Sequence, residues 1–392
     1  MSWTTYPLGM LFRRREQRNM AHLPLLSVYR DLGIVPRRGR TDNHNKASDD
    51  LSAYKHVEVG DLVLNKMKTW QGSLGISYYE GVVSPAYFVA QPCREFDRRF
   101  LHHLLRSKPL IAKYGARSKG IRPSQWDLPW DEFKTIKVAL PPLATQKRIA
   151  DFLDTETARI DALITKKRRM IELLEEQHHH YALSLLTRDS NPTVLRRLLK
   201  SPPQYGASLS GSEHEPGFVR YVRITDIDES GRLQRTNPVF LSALDAQPFL
   251  LNDDDILVAR SGTIGKAFHY QSSMGPAGFA GYLIRLEFDS SKILPGLVKC
   301  WTSTSHYWTQ IRESAVQSTI ENVSAERYKE LVVPVPPLDT QPSILKDIDD
   351  HSTRTNQLTT ALTTQLALLA ERRQALITAA VTGELAIPEV AA

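Results

Sequence analysis

Residues 261–266 read SGTIGK, and a Ser, a Thr and a Lys set among glycines are the materials of a phosphate-binding loop. The nucleotide-binding form needs a longer loop and a Ser or Thr after the Lys. Here Ala267 follows and the spacing is short, so the stretch reads as a tight strand-to-strand turn carrying Arg260, Ser261, Thr263 and Lys266. The one dense acidic cluster, NDDDI at 252–256, could supply carboxylates to a nuclease metal. It stands directly before an apolar β-type run, which favours a turn. Three histidines at 178–180 suggest a metal site, but consecutive helical residues point in different directions and cannot converge on one ion. Methyl transfer to DNA would call for a polar residue, two prolines and an aromatic in a row. The proline pairs here read LPPL, SPPQ and VPPL, and none has that form. The expectation is therefore a chain with no catalytic centre, no cofactor and no metal.

What remains is recognition chemistry. The SGTIGK turn has an upstream counterpart, NKMKTWQG, which carries Lys66, Lys68, Trp70 and Gln71. Arg and Lys suit guanine edges or phosphates, and Gln suits adenine. Two turns that share a place but differ in detail are what two readers of different sequences would need. The plainer reading is that these residues hold a sheet edge. Arg37 and Arg38 in PRRGR, and Arg117 and Lys119 in YGARSKGIR, lie on Gly-containing loops that could approach phosphates. Solvated loops are the alternative there. Trp126 and Trp130 read as packing residues.

The net charge of +7 is unevenly spread. Residues 1–141 hold 23 Lys and Arg against 13 Asp and Glu, while residues 142–190 and 191–336 are balanced and 337–392 are acidic. That bias points to a polyanion, nucleic acid first, with a solvated basic face as the alternative. At 392 residues the chain is long enough for two or three domains. No run reaches the roughly 18 apolar residues of a membrane span. The N-terminus places its arginines after a very short apolar stretch, unlike a secretory signal. Cys93 and Cys300 show no paired spacing, so neither a disulfide framework nor a zinc site is expected, and a cytoplasmic location is.

The elements that must position these loops are written twice. DLVLNKMKTWQGSLG near residue 61 and DILVARSGTIGKAFH near residue 255 are 194 positions apart, and Pro141-Pro142 and Pro336-Pro337 are 195 apart. VYRDLGI from Val28 and YVRITDI from Tyr221 match loosely at 193. Short β-branched runs alternate with the helical RRFLHHLLRS and GLVKCWTSTSHYWTQIRES, which predicts α+β domains with largely antiparallel or mixed sheets. After each proline pair the pattern becomes heptad-like. Leu153, Ile160, Leu163 and Leu174 form the first seam and Ile348, Leu358, Leu362 and Leu369 the second. Each helix could run about 40 residues, or about 60 Å. Only RDSNP separates the first from the next domain, and five residues reach at most about 18 Å. The expected layout is residues 1–141 as one domain, 142–190 as a helical arm, 191–336 as a second domain and 337–392 as a second arm. The arms would run antiparallel and hold the domains at opposite ends of a rod.

PPLATQKRIADFLDTETARIDALI and RRQALITAAVTGEL resemble the two conserved helical regions of the specificity subunits of type I restriction-modification systems. YVRITDI, GDLVLNKMKTWQGSLGIS and DILVARSGTIGKA resemble their target-recognition domains. The likeness covers nearly the whole chain, in order and twice. One departure is Thr145 and Thr340, where the family commonly has Glu before the Gln. The resemblance implies two tandem α/β target-recognition domains, an antiparallel coiled coil of two long helices and a pseudo-two-fold repeat. It implies a non-catalytic reader of double-stranded DNA, each domain reading half of a bipartite site. It also implies partners: two DNA adenine methyltransferase subunits and restriction translocase–endonuclease subunits.

Overall fold

The β-branched runs become short strands in the computed structural model, which describes residues 3–30, 32–37, 50–120, 126–228, 231–234, 236–316 and 322–387. The chain divides into two units, residues 1–167 with 364–392, and residues 168–363.

The first unit holds a four-stranded antiparallel sheet in the order Phe12–Arg15, Tyr87–Pro92, Leu62–Asn65, Leu74–Ile76. Alternation along a strand sends neighbours to opposite faces. Leu62 and Leu64 thus join Phe100, Leu104 and Tyr114 of the helices Arg98–Leu105 and Lys108–Arg117, while Val63 joins Leu26, Ile34 and Val57 on the other face. Asp97 caps the first of these helices by accepting from the N–H groups of Arg99 and Phe100. A separate pair, Thr4–Pro7 with Lys137–Leu140, closes the domain.

The second unit repeats this plan. Its sheet runs Gln204–Tyr205, Leu283–Leu286, Ile256–Ala259, Ala267–His269, again antiparallel, and Asn191–Val194 pairs with Val332–Val335. A further sheet, Val239–Leu241, Val219–Val222, Ala277–Phe279, has a parallel second pair; in the first domain Leu26–Tyr29 likewise pairs antiparallel with Gly33–Pro36, and a parallel bridge from Leu25 to Val82 joins it to Gly81–Val83. The stretch read as helical after residue 296 is two helices, Pro295–Trp301 and Ser305–Val316. Thr302, Ser303 and Thr304 interrupt it, each donating its hydroxyl at 2.7 Å to a carbonyl three residues back.

The long helices are Leu143–Thr187 and Gln341–Thr382. They run antiparallel within each unit. In the first, Ile149, Ala150 and Leu153 pack with Ile377, Ala380 and Val381; Arg373 donates twice to Asp161 at 2.9 and 3.1 Å, and Lys167 donates to Gln365 at 2.6 Å. In the second, Ala182, Leu185 and Leu186 share a core with Ile348, and His178 Nδ1 lies 3.0 Å from His351 Nδ1. Leu153, Ile160, Ile348 and Leu362 are buried and Leu174 and Leu369 half-buried. Leu163 and Leu358 lie outside the buried seam, 42% and 50% exposed. A straight helix drifts about 20° per heptad from a 3.5-residue repeat. Among the described residues no helix is long and apolar enough to cross a membrane.

The proline-pair elements gain a physical reason. Gln146, 4% exposed, donates to Pro141 O at 2.9 Å and accepts from Asp97 N at 3.1 Å. Gln341, 0% exposed, donates to Pro336 O at 3.0 Å and Lys292 O at 3.1 Å, and accepts from Leu294 N at 2.8 Å. Asp97 and Leu294 are the N-caps of equivalent helices. The same buried amide therefore staples each domain's exit to its first helix. Thr340 is exposed and donates its hydroxyl to Pro337 O at 2.8 Å.

The acidic cluster is a turn. Asp253 accepts from Ser272 N at 2.6 Å, Asp254 has φ +66° and pairs with His269 at 2.8 Å, and Asp255, 1% exposed, accepts from Asn252 N at 2.7 Å. Asp61 makes the matching bond to Glu58 N at 2.9 Å. Burial pushes the Asp255 carboxyl up to about 6. The charged form is thus disfavoured in the fold, and this cost is fully present above pH 6 and fades as pH falls towards the unfolded value near 4. Asp255→Asn is expected to raise the stability of the second unit by about 1–3 kcal/mol at pH 8. Urea titrations at pH 8 and pH 4.5 should show the gain shrinking in acid; an equal gain at both would contradict it.

Candidate nucleic-acid interface

In the first domain the turn between Leu62–Asn65 and Leu74–Ile76 is shaped by its own polar groups. Asn65 Oδ1 accepts from Met67 N at 3.1 Å, Thr69 donates to Asn65 O at 2.7 Å, and residues Thr69–Gln71 form one 3₁₀ turn. Gly72 then takes φ +91°, and a Cβ there would lie 2.9 Å from Ile111 Cδ1. The turn exposes Met67 and Lys68, with Lys66, Trp70 and Gln71 half-buried. The Trp70 ring lies 5.0 Å from that of Trp126, and Lys66 Nζ is 2.6 Å from Asp127. The Lys119 main chain pairs with that of Asp127, and its Nζ reaches Glu132 at 3.0 Å. Lys66, Trp70 and Lys119 thus meet around Trp126-Asp127. Trp126 packs as expected, but inside the candidate site; Trp130 packs against Phe88 and Phe133. Arg117 is half-buried at the end of its helix, and Arg37 is half-buried just after the strand Gly33–Pro36. Arg38 lies outside the described residues.

The second domain builds the turn differently. The Arg260 guanidinium sits 4.8 Å over the Tyr205 ring and donates to Asn322 Oδ1 at 3.3 Å, while Ser261 is bridged to Asn322 through the main chain. Thr263 is exposed at the tip, and Lys266 donates to Ile227 O at 2.8 Å. Gly262 and Gly265 have φ +73° and +84°, and a Cβ on Gly265 would meet the Trp308 ring at 2.9 Å. Gly72 and Gly265 are equivalent: each folds the turn onto its domain's second helix.

Two cavities flank this turn. One, of about 730 Å³, is lined by Thr225, Gln234, Thr263 and Lys266; the other, of about 670 Å³, by Leu209, Arg223, Thr225, Arg260 and Tyr282. Arg223, Thr225, Gln234 and the 65% exposed Tyr282 were not singled out from the sequence, although Arg223 and Thr225 belong to the repeated YVRITDI. Arg223 pairs with Asp226 at 3.0 Å. Exposed ion pairs contribute at most about 1 kcal/mol. Lys66 and Lys119 can therefore exchange a carboxylate for a phosphate at little cost, whereas Arg223 is held on the buried Asp226, which is 3% exposed. Among the described residues no group of three or more His, Cys, Asp or Glu could hold a metal ion.

The pattern of the type I restriction modification DNA specificity domain matches residues 38–173 and again 206–368. The StySPI specificity subunit of Salmonella potsdam is 24% identical over 301 residues, 71% of this chain and 63% of that protein. The EcoBI specificity subunit of Escherichia coli is 20% identical over 74% of this chain and 66% of its own length. The chain thus spans less than two thirds of these relatives. Among solved structures, a chain from work on complex assembly and conformational transition of the type I R-M system matches with a TM-score of 0.67 at 16% identity, covering 98% of both chains. The HsdS subunit from Thermoanaerobacter tengcongensis matches at 0.50 and 18%, covering 98% of this chain and 97% of that one. With the pattern matched twice, over most of the sequence, this chain belongs to the type I restriction-modification DNA specificity family.

Proposed function

We propose that the chain is the sequence-specific, non-catalytic DNA-binding subunit of a type I restriction-modification complex. Residues 1–141 and 191–336 each read one half of a bipartite site in double-stranded DNA, largely through the major groove. The paired helices set the gap between the halves. The chain also serves as the scaffold on which two adenine methyltransferase subunits and the restriction translocase–endonuclease subunits dock, in the cytoplasm. One observation carries this reading: the two domains share sheet order, glutamine joint and turn glycine, yet differ in the residues that the turns present. Duplicated frames with divergent tips suit two different sequences read by one molecule. The basic excess of residues 1–141 supplies attraction to phosphates that falls with salt.

Methylome maps of cells with and without the chain test the reading. Removal is expected to erase adenine methylation at one motif made of two short halves and a fixed unread gap. An unchanged methylome would count against it.

A further inference from the structure

The two candidate turns are held from behind by different chemistry. We infer that Arg106 in the first domain and the Tyr307–Tyr328 pair in the second are positioning residues that set which bases each domain accepts. The inference rests on DNA reading by these turns. Arg106 follows the helix Arg98–Leu105, and its guanidinium donates to Leu74 O at 2.9 Å, Gly72 O at 3.4 Å, Tyr29 O at 3.4 Å and Arg30 O at 2.5 Å. Gly72 and Leu74 close the turn that carries Lys66, Lys68, Trp70 and Gln71. Tyr29 and Arg30 open the turn that leads through Gly33–Pro36 to Arg37. One cation therefore ties together the bases of two candidate loops. The turn into Gly33–Pro36 closes tightly on the helix that Arg106 follows: Gly33 has φ +76°, and a Cβ there would lie 2.7 Å from His102 Cε1. A guanidinium offers five donors in a rigid fork; an ammonium is a compact point charge and cannot span four carbonyls.

The second domain has Thr302-Ser303-Thr304 at the corresponding interhelix corner and no arginine. The Tyr328 hydroxyl instead donates to Ala259 O at 2.6 Å and accepts from Gly265 N at 3.2 Å, bridging both stems of the turn. The Tyr307 hydroxyl donates to Gly265 O at 2.7 Å. Both side chains are buried, and burial raises both phenols, which keeps them protonated donors. Arg260 and Lys266 leave a frame fixed by these three bonds. Base readout requires side chains held within about 0.5 Å, whereas attraction to phosphates tolerates a loose turn. Loss of the buttress should thus remove discrimination before affinity.

The test is selection from a randomised duplex library, using the full chain in the complex that it forms in its own cells. Arg106→Lys is expected to reduce single-mismatch discrimination in one half-site from roughly 5–150-fold to under about threefold. The other half, the gap and binding to random duplex should stay as they are. Tyr328→Phe should do the same in the opposite half. A folded variant with both halves intact, both substitutions blunting the same half, or an equal loss in both halves with a lowered melting temperature would each overturn the inference. A wild-type chain that enriches no sequence would instead overturn DNA reading itself.

Discussion

Gln341→Leu is expected to destabilise the second unit by about 2–4 kcal/mol, and Gln146→Leu to do the same to the first. Each substitution keeps the side chain's bulk and removes its amide. Around residue 341 this leaves Pro336 O, Lys292 O and Leu294 N without their partner in a site with no exposure. A buried polar group left unpaired costs about 1–3 kcal/mol, and relaxation recovers part of that. Gln341→Glu separates the roles of the two amide atoms. A carboxylate can still accept from Leu294 N, but it cannot donate to either carbonyl, and its charge is buried. Protonation restores one donor, so this variant should be more damaging at pH 8 than at pH 5. Hydrogen exchange resolved by segment would read both predictions. The loss should concentrate in residues 292–341 for one variant and 97–146 for the other. A loss below about 0.5 kcal/mol would show that the joint is not held by the amide.

Inserting one helical turn into both long helices, at the facing positions Lys167 and Gln365, is expected to change the gap between half-sites and leave the halves themselves alone. A turn adds about 5.4 Å, close to one or two base-pair steps of about 3.4 Å. Insertion into one helix only would shift the facing residues out of register and weaken pairing. The matched insertion also rotates what lies beyond it, because about four residues turn a helix by slightly more than one revolution. Gap preference should therefore move to a discrete new length rather than broaden. A gap that stays fixed after matched insertion would refute the proposed role of the helices. Leu153 and Ile377 in the core of the first unit, and Leu186 and Ile348 in that of the second, lie away from the insertion point in sequence and should keep each unit folded.

Much of the architecture was legible in the sequence because it depends on periodicity and repetition. Strand alternation in DLVLN and DILVAR, the spacing of the proline pairs and the apolar helix stripes are local patterns, and they set the doubled α/β plan with its two long helices, though not the number of helices, since the stretch after residue 296 is two. The repeat also located the two turns. Burial along the helices was less legible. Leu163 and Leu358 sit at seam-like spacing, but exposure depends on what the facing helix offers, which spacing along one helix does not give.

By itself the sequence determined a duplicated α+β plan, two long helices, turns in equivalent places and a basic first domain. Those follow from hydrophobic period, chain length and charge, which need no third dimension. Only the tertiary structure decided what each turn rests on. The Gln146 and Gln341 staples, the Arg106 fork under one turn and the Tyr307–Tyr328 bridge under the other join residues 30 to 80 positions apart. Hydrogen bonds are directional and short, so a buried amide or phenol acquires its role only when folding brings a particular carbonyl within about 3 Å.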